Sequence, residues 1–198
     1  YLFGEGTHYD IYKKMGALPT KEKKKNGVFF AVWAPNAQSV SVVGEFNNWN
    51  VEANPMKKIG PIGIYTAFIP DVTEGQLYKY FIIGMHGEML YKADPFATAS
   101  ELRPGNASKV FDISGFTWKD QNWLKKRAAF DVKKDAMAIY EVHPGSWKKH
   151  AQTKEDPDGF YNYRELAHEL ADYVKEMGYT HVELMGIAEH PFDGSWGY

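Results

Sequence analysis

Glu183, Glu189 and Asp193 are the carboxylates that fall where a strand gives way to a loop. Breaking or transferring a glycosidic bond needs two carboxylates about 5–10 Å apart across a sugar. In α/β barrels such groups sit at the C-terminal ends of strands. Glu183 lies inside a strand spanning Thr180–Met185 and reads as a buried, hydrogen-bonded scaffold group. Glu189 and Asp193 are close together in one loop, which suits loop shaping better than an opposed pair. No complete catalytic pair is expected within these 198 residues.

His143, His181, Glu189 and His190 invite a metal reading, but their spacing matches no zinc signature such as H-E-x-x-H. Hydrogen bonding is the simpler role. No serine sits in a G-x-S-x-G elbow. Gly4 and Gly6, and Gly84 and Gly87, are turn glycines; neither pair opens a helix as a phosphate loop must.

Trp49 lies in a turn cluster, GEFNNWN, flanked by Asn47, Asn48 and Asn50. Asparagine tolerates turn geometry and offers amide hydrogen bonds. A Trp with such neighbours has poor reason to be core. Either it is a structural turn, or it is an apolar plate for the C–H face of a sugar, with amides for the hydroxyls. The residues leave both readings open.

The elements that must position these residues divide the chain. Up to about Ile113 it reads as all-β. Val28–Trp33, Ser39–Val43, Ile64–Ile69, Leu77–Ile83 and Lys109–Ile113 are short strands with Gly, Pro and Asn between them, the pattern of a β-sandwich. The charged stretch from Gly115 to Asp135 predicts a short linking helix carrying Trp118, Trp123 and Arg127. From Ala136 the period changes. Ala136–Val142 reads as a strand buried on both faces. Asn162 and Glu165 approximate a capping box, and Leu166, Leu170, Val174 and Met177 form a helical stripe ended by Gly178. With the strand Thr180–Met185 this makes one βαβ unit, too little to close a barrel.

Composition sets the outer bounds. Net charge is −2, so no global field draws in nucleic acid or an anionic membrane. The basic run Lys21–Lys25 reads as a solvated loop between strands. There are 13 Tyr and six Trp, which fill cores and also make surfaces that stack on rings. There is no cysteine, which fits a reducing cytosol, and no apolar run approaches the roughly 20 residues of a membrane helix. No signal peptide is visible, and a first residue of Tyr rather than Met predicts that further sequence precedes it.

The segments GEGTHYDIYKKMGA, FAVWAPNAQSVSVVGEFNNWN, YKADPFA, RPGNASKV, AIYEVHPGSW and EHPFDGSWGY resemble, over essentially the whole chain, the N-terminal part of bacterial-type glycogen (1,4-α-glucan) branching enzymes of the α-amylase superfamily. The first and last of these set the resemblance apart from amylases and debranching enzymes. It implies a mainly β fold: an immunoglobulin-like, family-48 carbohydrate-binding β-sandwich over residues 1–113, a linker with a short helix over 114–135, and over 136–198 the first βαβ unit of an incomplete (β/α)8 barrel.

By the same resemblance, the parent activity is cleavage of an α-1,4 chain and its transfer to a 6-hydroxyl as an α-1,6 branch, with no metal or organic cofactor. The family's three catalytic carboxylates lie beyond Tyr198, so the chain itself is expected to be inactive. Trp49 matches the tryptophan that stacks on α-glucan, and Lys79 a glucan-contacting lysine. Tyr91 stands near a second platform where related modules carry Trp, a departure from their pattern. Tyr198 resembles a tyrosine that stacks on sugar at the cleavage subsite. The implied partner is α-glucan (glycogen or malto-oligosaccharide), in the cytoplasm, without nucleic acid or membrane. The exposed barrel strands further predict self-association. Two other readings are a non-catalytic glucan-binding or scaffold module, and the front of a debranching enzyme.

Overall fold

Short β-rich runs punctuated by turns fold the first half of the chain into strands. Nine strands form there: β1 (Gly16–Glu22), β2 (Lys25–Trp33), β3 (Ala37–Gly44), β4 (Lys57–Ile59), β5 (Ile64–Pro70), β6 (Leu77–Gly84), β7 (Met89–Lys92), β8 (Ala99–Ser100) and β9 (Ser108–Lys109). The structure is a computed structural model that describes residues 2–102 and 104–188. It divides into two compact units, Tyr1–Phe116 and Thr117–Tyr198.

In the first unit the strands make two antiparallel sheets, ordered β1-β2-β5-β4 and β3-β6-β9-β8, with β7 also paired to β6. Val28, Phe30 and Val32 of β2 meet Val40 and Val42 of β3 and Tyr78 and Tyr80 of β6 in one buried cluster. Burying each such side chain contributes about 1.5–3 kcal/mol. Phe30 packs edge-on to Tyr78 at 5.1 Å between ring centres, and Tyr78 to Tyr80 at 5.9 Å.

The two core tyrosines need partners for their hydroxyls. Both donate to Asp94 Oδ2, Tyr78 at 2.7 Å and Tyr80 at 3.0 Å. Asp94 Oδ1 accepts from the Phe96 amide at 2.8 Å, and the Asp94 amide donates to Ser108 Oγ at 2.8 Å. Burial nevertheless raises the Asp94 carboxyl above its ordinary value, against these donors.

Several expectations shift in detail. Lys21–Lys25 is not simply a loop. Lys23 and Lys24, with φ of +46° and +70°, form a two-residue turn that closes the β1–β2 hairpin at the Glu22–Lys25 pair. The strand expected over Lys109–Ile113 ends at Lys109, because its partner β6 begins at Leu77, the residue opposite Lys109. Beyond it Phe111 and Ile113 are exposed.

The second unit holds α1 (Gln121–Ala129), β10 (Ile139–Val142), α2 (Pro144–Trp147), α3 (Tyr163–Glu176) and β11 (His181–Leu184). α3 starts where its capping box dictates. Asn162 Oδ1 accepts from the amides of Arg164 and Glu165 at 3.0 Å, and Glu165 Oε2 accepts from the Asn162 amide at 3.0 Å. Gly178, at φ +79°, ends it. Leu166 and Leu170 bury against Val142, with Val174, Tyr140 and Trp147 around them. Met177, the last residue of the expected stripe, is 56% exposed. β10 and β11 pair in parallel, Ile139 opposite His181, so strand, helix and strand form one βαβ unit. β10 is shorter than the run Ala136–Val142, and Ile139 is half exposed, because α3 covers only one face of the pair. Glu183 is likewise exposed rather than a buried scaffold group.

Candidate functional site

The turn that presents Trp49 is built by the residues around it. β3 ends at Gly44, and a single 3-10 turn, Glu45–Asn47, follows. Asn47 Oδ1 accepts from the Gly44 amide at 3.0 Å, while its Nδ2 donates to Val42 O at 3.0 Å and Asn54 Oδ1 at 2.7 Å. Asn50 Oδ1 accepts from the Glu52 amide at 2.9 Å. Asn47 is therefore a turn-former whose amide is spent on the fold. Asn48 and Trp49 take φ of +53° and +59°, and the Trp49 amide donates to Gly44 O at 2.9 Å. A left-handed backbone is a genuine outlier for so bulky a residue. The surrounding bonds hold it there with the indole 38% exposed.

β3 and β6 pair so that Val43 lies opposite Lys79 and Ser41 opposite Phe81. Tyr78 and Tyr80 point into the core, so Lys79 and Phe81 point to the other, outer face of the sheet. Tyr91 of β7 lies opposite Phe81 and packs on it at 5.0 Å between ring centres. Lys79 and Tyr91 thus share the outer face. Trp49 is tied through its backbone amide to Gly44 O at the end of β3. Val43 and Phe81 are buried beneath this face, while Tyr91 is 53% exposed.

Asn106 was not singled out from sequence. Lys79 Nζ donates to its Oδ1, which brings the loop between β8 and β9 to the edge of the same face. Glu101 shapes that loop. Its amide donates to Ala107 O at 2.9 Å, and its Oε2 accepts from the Ala107 amide at 3.0 Å. Leu102 stands 84% exposed on the same loop. The only local signal was the Pro-Gly-Asn turn sequence, which does not reveal what the turn faces.

Residues 14–97, which carry Trp49, Lys79 and Tyr91, match carbohydrate-binding module 48 (isoamylase N-terminal domain). The chain is 57% identical over 198 residues to a 1,4-alpha-glucan branching enzyme GlgB of Butyrivibrio fibrisolvens, covering 100% of itself and 31% of that protein. It is 50% identical to the GlgB of Protochlamydia amoebophila, again over its whole length and 27% of the relative. Over its whole length the chain is similar in sequence to part of these 1,4-alpha-glucan branching enzymes.

It spans about a third of the length of the GlgB relatives it matches. The fold is shared more widely. The catalytic module of the glycogen-degrading pneumococcal virulence factor SpuA superposes with a TM-score of 0.63 at 23% identity, over 90% of this chain and 27% of that one. A pullulanase, GBS SAP, superposes with a TM-score of 0.62 at 20% identity, over 90% and 24%.

The second unit places Glu141 and Glu183 side by side across the β10–β11 pair, not opposed across a cleft. His143 Nδ1 lies 2.9 Å from Ser146 Oγ, and His181 Nδ1 2.8 Å from Thr180 Oγ1. Both histidines are engaged in local hydrogen bonds, and among the described residues no group of three or more His, Cys, Asp or Glu could hold a metal. Glu189, His190, Asp193 and Tyr198 lie outside the described residues. No helix among the described residues is long and apolar enough to cross a membrane.

Proposed function

We propose that the first unit binds α-glucan on the outer face of the β3-β6-β7 sheet, with Trp49, Lys79 and Tyr91 as contacts and Asn106 beside Lys79. The observation that carries this is Trp49 itself. It is a large, partly exposed indole held at φ +59° by a purpose-built turn. Strain of that kind persists only where surroundings enforce it, and it clusters at ligand sites. The carbohydrate-binding module match over residues 14–97 supports the ligand class. The ligand is glycogen or a malto-oligosaccharide.

The whole protein, on this reading, is a cytoplasmic glycogen-branching transferase. It cleaves an α-1,4 chain, holds it as a covalent glycosyl-enzyme, and transfers it to a 6-hydroxyl. Residues 1–113 are its binding sandwich, 114–135 a linker, and 136–198 the opening βαβ unit of its catalytic barrel, with Tyr198 at the cleavage subsite. The chain supplies binding rather than catalysis. It engages no nucleic acid or membrane, and its second unit pairs with another copy through exposed strands. Electrophoresis through a native gel containing glycogen tests the binding site. The full chain is retarded, and Trp49→Ala of unchanged thermal stability runs as it does without glycogen. Equal retardation of both would remove Trp49 from the site.

A further inference from the structure

One buried carboxylate fastens, from the inner side of the sheet, the segments that carry Lys79, Tyr91 and Asn106. Asp94 is 6% exposed, and the hydroxyls it accepts belong to the fully buried Tyr78 and Tyr80. Those tyrosines are the chain neighbours of Lys79, one on each side. Alternation along β6 sends them inward and Lys79 outward. Asp94 itself follows β7 and stands three residues after Tyr91. Its amide donates to Ser108 Oγ at 2.8 Å, and Ser108 stands two residues after Asn106.

This fastening matters most where the strand ladder gives least. β9 pairs with β6 at two positions, Leu77 with Lys109 and Tyr78 with Ser108. Asn106 lies beyond them, in the loop. β7 ends at Lys92, so Asp94 has already left the ladder. A tight turn holds it instead. The Phe96 amide donates to Asp94 Oδ1 at 2.8 Å and the Ala97 amide to Asp94 O at 3.1 Å, while Pro95 disfavours helical backbone at Asp94. Replacing such a polar group and its partners by apolar ones can be nearly neutral for stability. What a satisfied buried network adds is one fixed arrangement of the segments it joins. The turn under Trp49 is built separately, because Asn47 bonds Gly44, Val42 and Asn54.

We propose that Asp94 is a positioning residue for the glucan face: by joining β6, the exit of β7 and β9 beneath the sheet, it sets where Lys79, Tyr91 and Asn106 stand relative to one another. This rests on the reading of the first unit as glucan-binding. Asp94 touches no ligand. Its effect reaches the sugar through side chains on the other face, so its replacement acts on affinity only while those side chains are present. Residues that share one network do not contribute additively.

The test is titration calorimetry of the full chain with maltoheptaose, at a temperature where circular dichroism shows every variant folded. Asp94→Asn keeps the shape of the side chain and removes the carboxylate. It should weaken binding several-fold in the otherwise wild-type chain. In the Lys79→Met background the same change should weaken it much less, because a contact that Asp94 positions is already gone. A merely structural role would lower affinity by the same factor in both backgrounds. Ser108→Ala removes the acceptor of the Asp94 amide from the inner side. Its loss of affinity should shrink in the Asn106→Ala background, and this second cycle decides the matter if Asp94→Asn does not fold. Unchanged affinity in the folded variants, or equal factors in both backgrounds, would overturn the positioning role, while a wild type that binds keeps the outer face as the site. No binding by the wild type would overturn both.

Discussion

Lys79 donates a hydrogen bond to the side-chain oxygen of Asn106, joining two positions 27 residues apart in the chain. The pair fixes the tip of the β8–β9 loop beside the outer sheet face. It also orients a long ammonium side chain, which on the proposed reading presents a preset donor to a glucan hydroxyl.

Removing either partner should therefore weaken glucan binding. Lys79→Met loses a charged donor, a loss of about 1.5–3 kcal/mol, and Asn106→Ala about 0.5–1.5 kcal/mol. The two should not add, because Asn106 acts in part by holding Lys79. Titration calorimetry of both single variants and the double variant, with malto-oligosaccharide, gives the coupling. Strict additivity would mean that the two residues act apart.

Backbone strain at Trp49 gives a stability prediction independent of ligand. Glycine adopts φ near +59° freely, while alanine pays for it. Trp49→Gly should be more stable than Trp49→Ala by about 1 kcal/mol, although glycine is usually the more destabilising choice. Urea denaturation of the two variants checks the order.

Asp94 anchors the core tyrosines, so Asp94→Ala should destabilise the first unit by about 2–4 kcal/mol, because the Tyr78 hydroxyl loses its carboxylate acceptor and the Tyr80 hydroxyl keeps only Ala31 O at 3.4 Å. The pH dependence has a definite sign. Burial raises the folded carboxyl above its unfolded value. The stability it contributes is complete below the unfolded value and declines as pH rises through the folded one. Denaturation at pH values from about 4 to 7 should show the wild type losing stability relative to Asp94→Asn, which cannot ionise. A gap that does not change with pH would mean that the carboxyl titrates as it does in the unfolded chain.

Much of this was legible in the sequence where the pattern was local. The β-rich run Val28–Trp33 and the alternation in Ser39–Val43 marked the core strands, and Asn162, Glu165 and Gly178 marked both ends of α3. The turn around Trp49 was also visible, but not the division of labour within it. Asn47 looks like a ligand donor in sequence, and only the fold shows that its amide is spent on Val42, Asn54 and Gly44. Asp94 and Asn106 were invisible because their partners, Tyr78, Tyr80 and Lys79, lie 14 to 27 residues away. Burial of Glu183 and Ile139 was overestimated because a strand's apolar pattern does not say whether both faces are covered.

The half-covered β10–β11 pair leads to a prediction about association. Ile139, Val182 and Leu184 are 51%, 39% and 42% exposed. Apolar strands exposed in this way pair with another chain. Light scattering should find the full chain as a dimer or larger, and a chain ending at Asp112 as a monomer. A monomeric full chain would show that the strands find cover within one molecule.

Titration calorimetry of the full chain with maltoheptaose, for wild type and Trp49→Ala of matched thermal stability, bears most directly on the glucan-binding face. Loss of an indole contact worth about 1–3 kcal/mol should weaken binding roughly tenfold or more. An unchanged affinity in the folded variant would contradict the assignment of the outer face of the β3-β6-β7 sheet as the glucan site.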